Sequence, residues 1–181
     1  DRVLYRQPLA RNPEAWAVER PDVRQGRGVL RDGTIVAEPL DFSHSNYLSV
    51  RTLQGVLKSV LFPDAVPPEE RFRLTEDDYR FLLKTMSMLP RESVEPAYPD
   101  REEYFDSYVK YFLYGDSKAP IPPHIRIFNK VGQAYGYLID DAYVVDFDAG
   151  VEFLLTAVIL VNADQVFNDD AYEYEETGIP F

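Results

Sequence analysis

Residues 151–162 read V-E-F-L-L-T-A-V-I-L-V-N, a β-rich run in which both alternating sets of side chains are apolar. A strand with one face in water shows apolar-polar alternation. A strand apolar on both faces belongs in a sheet that is covered on both sides. This run therefore demands a layered fold and sets the task for the rest of the chain: to supply the covering layers.

Two further runs supply the sheet. I-R-I-F-N-K-V predicts a strand over 125–131, with Ile125, Ile127 and Asn129 on one face and Arg126, Phe128 and Lys130 on the other. A-Y-V-V-D-F predicts a second over 142–147, and the Asp148-Ala149-Gly150 break joins it as an antiparallel hairpin to a third over 152–161.

The middle of the chain is helical in pattern. Ser49 caps a helix over 49–62, whose Val50, Leu53, Leu57, Val60 and Leu61 share a face and which ends before Pro63. Thr75 with Asp78 forms a capping-box signature for a helix over 75–89, striped by Tyr79, Leu82, Leu83 and Met86 and stopped by Pro90. Asp100 with Glu103 repeats the signature and predicts a third helix over 100–114 before Gly115, carrying Tyr104, Tyr108, Tyr111 and Phe112. The fold class is α+β, helices packed on an antiparallel sheet.

Residues 1–40 are broken by Pro8, Pro13, Pro21, Gly26, Gly28, Gly33 and Pro39 and read as an irregular segment wrapping a larger fold, with a hairpin at Asp32-Gly33 between V-L-R and T-I-V-A. Asp1 is not a natural start, so the expectation is a chain that begins inside a longer gene product. The tail E-Y-E-E-T-G-I-P-F reads as a helix or docking segment.

Composition narrows the function. The 181 residues, 45% hydrophobic with 13 Tyr and 11 Phe, suit one globular domain with a real core. A net charge of −12 without a Lys/Arg cluster argues against nucleic acid as partner. The absence of cysteine removes disulfides, thiolate metal sites and cysteine nucleophiles. No apolar run approaches the ~20 residues of a membrane span, and the expectation from the opening residues is a chain without a signal peptide.

Chemistry gathers at Lys130. It stands two residues before Gly132, where a missing side chain lets a ligand approach the backbone. A lysine beside glycine at a strand end also serves simply as a solvated, edge-protecting residue. The order of elements separates the two readings: helices, a strand bearing Lys130-Val131-Gly132, then Ala134-Tyr135-Gly136, then two antiparallel strands, beginning at Asp141-Ala142-Tyr143-Val144-Val145. This order, with F-N-D-D-A-Y-E-Y downstream, resembles the C-terminal half of the penicillin-recognising serine hydrolases, the superfamily of class A β-lactamases and transpeptidases, over roughly residues 40–181.

The resemblance implies a β-lactamase/transpeptidase-like α+β fold, incomplete at its N-terminus, with 41–181 as its C-terminal part. Lys130 would be the catalytic cation of the sheet edge. Gly132, Gln133, Ala134 and Tyr135 would bind substrate, with the Gln133 N–H stabilising the oxyanion. It implies acyl transfer to water from a small-molecule or peptide amide or ester through an acyl-serine, no metal and no cofactor, and a periplasmic or cell-envelope setting. Two positions depart from the family. Val131 replaces a hydroxyl residue, and Leu138 stands where many β-lactamases carry a carboxylate-clamping arginine.

The family nucleophile lies in Ser-x-x-Lys followed by Ser-x-Asn. Ser107-Tyr108-Val109-Lys110 matches the first, but too close to Lys130 to leave room for the intervening helical domain; Ser107 reads as a flank of a packed face. Neither Ser43-His44-Ser45 nor Ser45-Asn46-Tyr47 is Ser-x-Asn, and His44 reads as a loop residue. Glu38 faintly resembles an omega-loop carboxylate, but Leu40-Asp41 departs from that pattern. The acidic stretch Asp164–Glu176 lacks calcium-loop register and reads as a solvated face. The expectation is a chain that supplies the lysine wall of a site, is inactive alone, and completes its sheet with a missing N-terminal half or by self-association. The alternatives are a non-catalytic binding domain on the same scaffold and a small α+β module that folds alone.

Overall fold

The computed structural model describes residues 23–45 and 48–180. Most of the expected 1–40 wrapping segment, and Asn46 and Tyr47 of the serine-rich loop, lie outside the described residues.

The element order is β1 (Arg24–Gln25), β2 (Gly28–Arg31), β3 (Thr34–Val36), β4 (Leu40–Asp41), α1 (Val50–Leu61), α2 (Glu76–Ser87), β5 (Ile125–Ala134), β6 (Tyr137–Asp146), β7 (Val151–Leu160) and β8 (Val166–Phe167). The architecture is α+β: helices with an antiparallel sheet of order β5-β6-β7, joined by small sheets β3-β2-β8 and β1-β4.

Both helices start where their caps direct. The Ser49 hydroxyl accepts from Thr52 N at 3.0 Å, and α1 buries Leu57 while Val50 stays exposed. Thr75 and Asp78 exchange bonds in a capping box, Thr75 N donating to Asp78 Oδ2 at 2.8 Å and Asp78 N to Thr75 Oγ1 at 3.2 Å.

The main sheet is antiparallel throughout, with β5 and β6 longer than expected toward their shared hairpin. Ten residue pairs run from Ile125↔Asp146 to Ala134↔Tyr137. Tyr135 (φ 56°) and Gly136 (φ 77°) form a two-residue turn that lets pairing continue to Ala134 and Tyr137. The Asp32-Gly33 hairpin forms as expected, both residues at positive φ, and β8 joins β2 in parallel.

The helix expected over 100–114 is absent; these residues form successive turns. Asp100 does begin one, with Tyr104 N on its carbonyl at 2.9 Å. Beyond it, tertiary partners take the groups a helix needs. The Asp140 carboxylate accepts Tyr111 N at 2.9 Å and Phe112 N at 3.4 Å, and Leu113 adopts φ 71°.

The sheet has two covered faces. On one, Ile125, Ile127, Ala142 and Val144 pack with Leu89, Ile121, Phe112 and Tyr114 of the 88–122 strap. Farther along that face, Gly178 backs onto Leu138 and Val161. On the other, Phe62 at the end of α1 stacks edge-on to Tyr143 (4.9 Å), whose ring neighbours Phe128. The N-terminal strands dock at the hairpin end through Phe42, between the rings of Tyr135 and Phe167.

Among the described residues β7 is paired on one side only, and Val151, Phe153, Leu155, Val158 and Leu160 are 39–52% exposed. It contains no lysine and no proline, residues that commonly protect an edge. Leaving even ~400 Å² of such surface in water forgoes on the order of 10 kcal/mol, comparable to a domain's net stability. The isolated chain should therefore self-associate at micromolar concentration in sedimentation, and Leu155→Lys should shift it toward monomer without changing its circular dichroism. A cooperative wild-type monomer would contradict this.

Candidate functional site

Lys130, Gly132, Gln133, Ala134 and Tyr135 follow one another along β5 and into its turn, so the structure brings the expected residues together on one element. Alternation places Lys130, Gly132 and Ala134 on the face that carries Phe128 and Tyr143, and Val131 and Gln133 on the strap side. Lys130 is exposed, and its ammonium donates to the carbonyl of Val131. The Tyr135 ring packs on Phe42 at 5.3 Å. A 290 Å³ cavity between α1 and α2 is lined by Leu61, Tyr79 and Leu83 among others, and not by Lys130.

β5 is an edge strand, and its edge divides into a closed half and an open half. Ile125 N bonds Pro122 O at 3.0 Å and Ile127 O accepts from Lys110, so odd-numbered residues turn their main chain away from β6. The strap closes this edge at Ile125 and Ile127. Past Lys130, the main-chain groups of Val131 and Gln133 face outward with no strand beside them among the described residues, the Val131 carbonyl being met by the Lys130 ammonium. Gly132 keeps the approach low; a Cβ there would meet nothing closer than Ile139 at 3.8 Å.

A buried polar network holds this arrangement. Lys110 is 2% exposed, and its ammonium donates to Met86 O (2.9 Å), Ile127 O (2.8 Å) and Asn129 Oδ1 (2.8 Å), using all three hydrogens. Asn129 Nδ2 donates to Val109 O (2.8 Å) and Asp140 Oδ1 (2.9 Å). Burial lowers the Lys110 pKa to about 8 against the opposing pull of Asp140, and burial raises that of Asp140 against its three donors. Asp141, facing the other way, is also buried and accepts from Thr156 Oγ1 at 2.6 Å; burial raises its pKa too.

The remaining candidates have structural partners. Ser107 is 1% exposed and its hydroxyl donates to Ser117 O at 2.7 Å, so the Ser-x-x-Lys of this sequence is two buried tethers of the strap. Glu38 pairs with Arg31 at 2.6 Å, and His44 is exposed in a turn. Leu138 is buried and Val131 half-buried. Among the described residues no cluster of His, Cys, Asp or Glu could hold a metal ion, and no helix is long and apolar enough to cross a membrane.

The sequence reading missed Lys110, Asn129, Asp140 and Tyr111 as a connected group. A signal exists: Asn129 and Asp140 occupy inward positions of alternating strands, where an unexplained polar residue implies a buried partner. Compared with known proteins, the chain matches no family model, no curated sequence and no solved structure.

Lys110→Met keeps the volume but leaves three buried acceptors without their donor, and should cost about 3 kcal/mol in denaturant unfolding. The pH dependence has a definite sign. The folded-state pKa near 8 lies below the ordinary 10.5, so between those values the unfolded chain binds more protons and this group makes stability rise with pH. From pH 8 up to the onset of tyrosine ionisation, the deficit of Lys110→Met should therefore widen. A deficit that narrows would contradict the lowered Lys110 pKa.

Proposed function

We propose that this chain is the sheet half of a β-lactamase-like serine hydrolase and that β5 is one wall of its acyl-transfer site. The observation that carries the reading is the Lys130-Val131-Gly132 sequence on an edge strand that is capped before Lys130 and open after it. The Val131 N–H and the Gln133 main chain, beyond the carbonyl that the Lys130 ammonium meets, are what a substrate needs in order to lie along the strand.

In this reading a serine from outside the sequence attacks the acyl carbon, and its proton passes to a neighbouring base. The C–N or C–O bond breaks from the resulting tetrahedral species, and water then releases the acyl group. The outward N–H of Gln133 faces the carbonyl oxygen as charge develops on it, the contribution that is usually largest in acyl transfer. Lys130 adds positive potential on the α1-covered face, where the nucleophile would stand. Gly132 admits the substrate backbone. A strand from the same missing half would pair with β7, and the resemblance places the whole in a bacterial cell envelope. Metal and cofactor are not part of the scheme.

A fluorophosphonate should label the full-length protein at one serine and leave this chain alone unlabelled. Lys130→Ala should slow labelling by about 100-fold, the magnitude typical for loss of one electrostatic contact at such a site. An unchanged rate would reduce Lys130 to an edge-protecting residue. A full-length protein that resists labelling but retains ligand would be a binding domain on this scaffold.

A further inference from the structure

Lys110, Asn129 and Asp140 stand in one line of contacts closed to solvent. They are 2%, 8% and 3% exposed, on the strap, β5 and β6 respectively. The Lys110 ammonium donates to Asn129 Oδ1 at 2.8 Å, and Asn129 Nδ2 donates to Asp140 Oδ1 at 2.9 Å. One carboxamide thus separates an amine from a carboxyl group. With a C=O bond of about 1.23 Å, Lys110 Nζ lies no more than ~4 Å from Asn129 Cγ, and a shift of under ~1 Å brings it to attack distance. Met86 O and Ile127 O hold the other two ammonium hydrogens, so loss of the third leaves the lone pair facing the amide.

Attack by that nitrogen needs a neutral amine, an acid for the leaving group and little water. Burial lowers the Lys110 pKa to about 8 and raises that of Asp140, and both shifts favour passing a proton from the ammonium to the carboxylate. Arg126 and Glu92, the other charges that act on Lys110, grip each other at 2.7 Å. The buried Ile127 and Ala142, on the same face of the sheet, help to keep out water, the competing nucleophile.

We infer that Lys110 and Asn129 condense to an intramolecular isopeptide bond, with Asp140 as the proton carrier. The ammonium passes one proton to Asp140 across the amide that touches both. Nζ then attacks Cγ, and the carbonyl electron pair moves onto Oδ1. Asp140 gives its proton to Nδ2 and takes one from Nζ; the Cγ–Nδ2 bond breaks as the carbonyl re-forms. The departing ammonia takes that last proton and leaves as ammonium, with Asp140 again a carboxylate. No oxidant or further reactant enters. A neutral amide replaces a buried cation, whose burial is costly. The bond joins residues 19 apart in sequence and makes permanent the tie between strap and β5 that hydrogen bonds now provide. The inference does not depend on the hydrolase reading.

Tryptic digestion and mass spectrometry of the full-length protein decide it. The wild type should be lighter by one ammonia, about 17 Da. Residues 102–118 and 127–130 should appear as one branched peptide, uncut at Lys110. Lys110→Met should show no such loss. Asp140→Asn keeps the shape but cannot carry the proton, and should slow the link by about 100-fold. Full mass in the wild type after prolonged incubation overturns the inference. So does an ammonia loss that leaves Lys110 open to trypsin, which places the reaction elsewhere. An Asp140→Asn chain that links as fast as the wild type overturns the role of Asp140. Should that variant fail to fold by circular dichroism, the branched wild-type peptide still decides the bond. The stability comparison with Lys110→Met given above applies to chain of full mass, since the linked form has no ammonium to titrate.

Discussion

The inner face of the sheet is organised around one ammonium group. Lys110 ties the end of α2 through Met86, the edge of β5 through Ile127, and the Asn129 side chain; Asn129 passes the link to the strap at Val109 and to β6 at Asp140. A cation taken out of water costs several kcal/mol, and three well-placed acceptors with a nearby carboxylate offset that cost. The network brings specificity of placement. It fixes where the strap stops along β5, and so fixes where the open edge begins.

The two edges of the sheet differ in kind. β5 is bonded to the strap at Ile125 and Ile127, and from Val131 to Ala134 it has no strand beside it among the described residues, a length suited to a short extended ligand. Among the described residues β7 has no strand on its outer side along all ten residues and carries apolar side chains on both faces, a length suited to another strand. The first is proposed as a substrate wall, the second as the seam to the rest of the fold. Ion pairs fasten the strap between them: Arg126 grips Glu92 at 2.7 Å, and Arg91 meets Asp106 at 3.0 Å while Asp106 also accepts Ile121 N.

What was legible in the sequence was local. Ser49 and the Thr75–Asp78 pair announced their helices because capping needs only neighbours in the chain, and alternation announced β5 and a continuous apolar run β7 for the same reason. The 100–114 segment shows the limit. Its capping signature is real at Asp100, yet Asp140, far along the chain, takes the amides of Tyr111 and Phe112 and Lys110 turns inward, so tertiary bonds outweigh helical periodicity. The site divides likewise. Lys130, Gly132 and Gln133 were visible as one run, whereas Tyr111 joins them only through the fold. Ser107-x-x-Lys110 shows that a spacing alone cannot distinguish a nucleophile from two buried tethers.

The most direct measurement is a crystal structure of the full-length protein after reaction with a fluorophosphonate. The account predicts a phosphonylated serine facing β5, with the phosphonyl oxygen about 3 Å from the Gln133 N–H and the Lys130 ammonium lining the same site. An adduct on a serine remote from β5, or a different strand paired along residues 131–134, would contradict it.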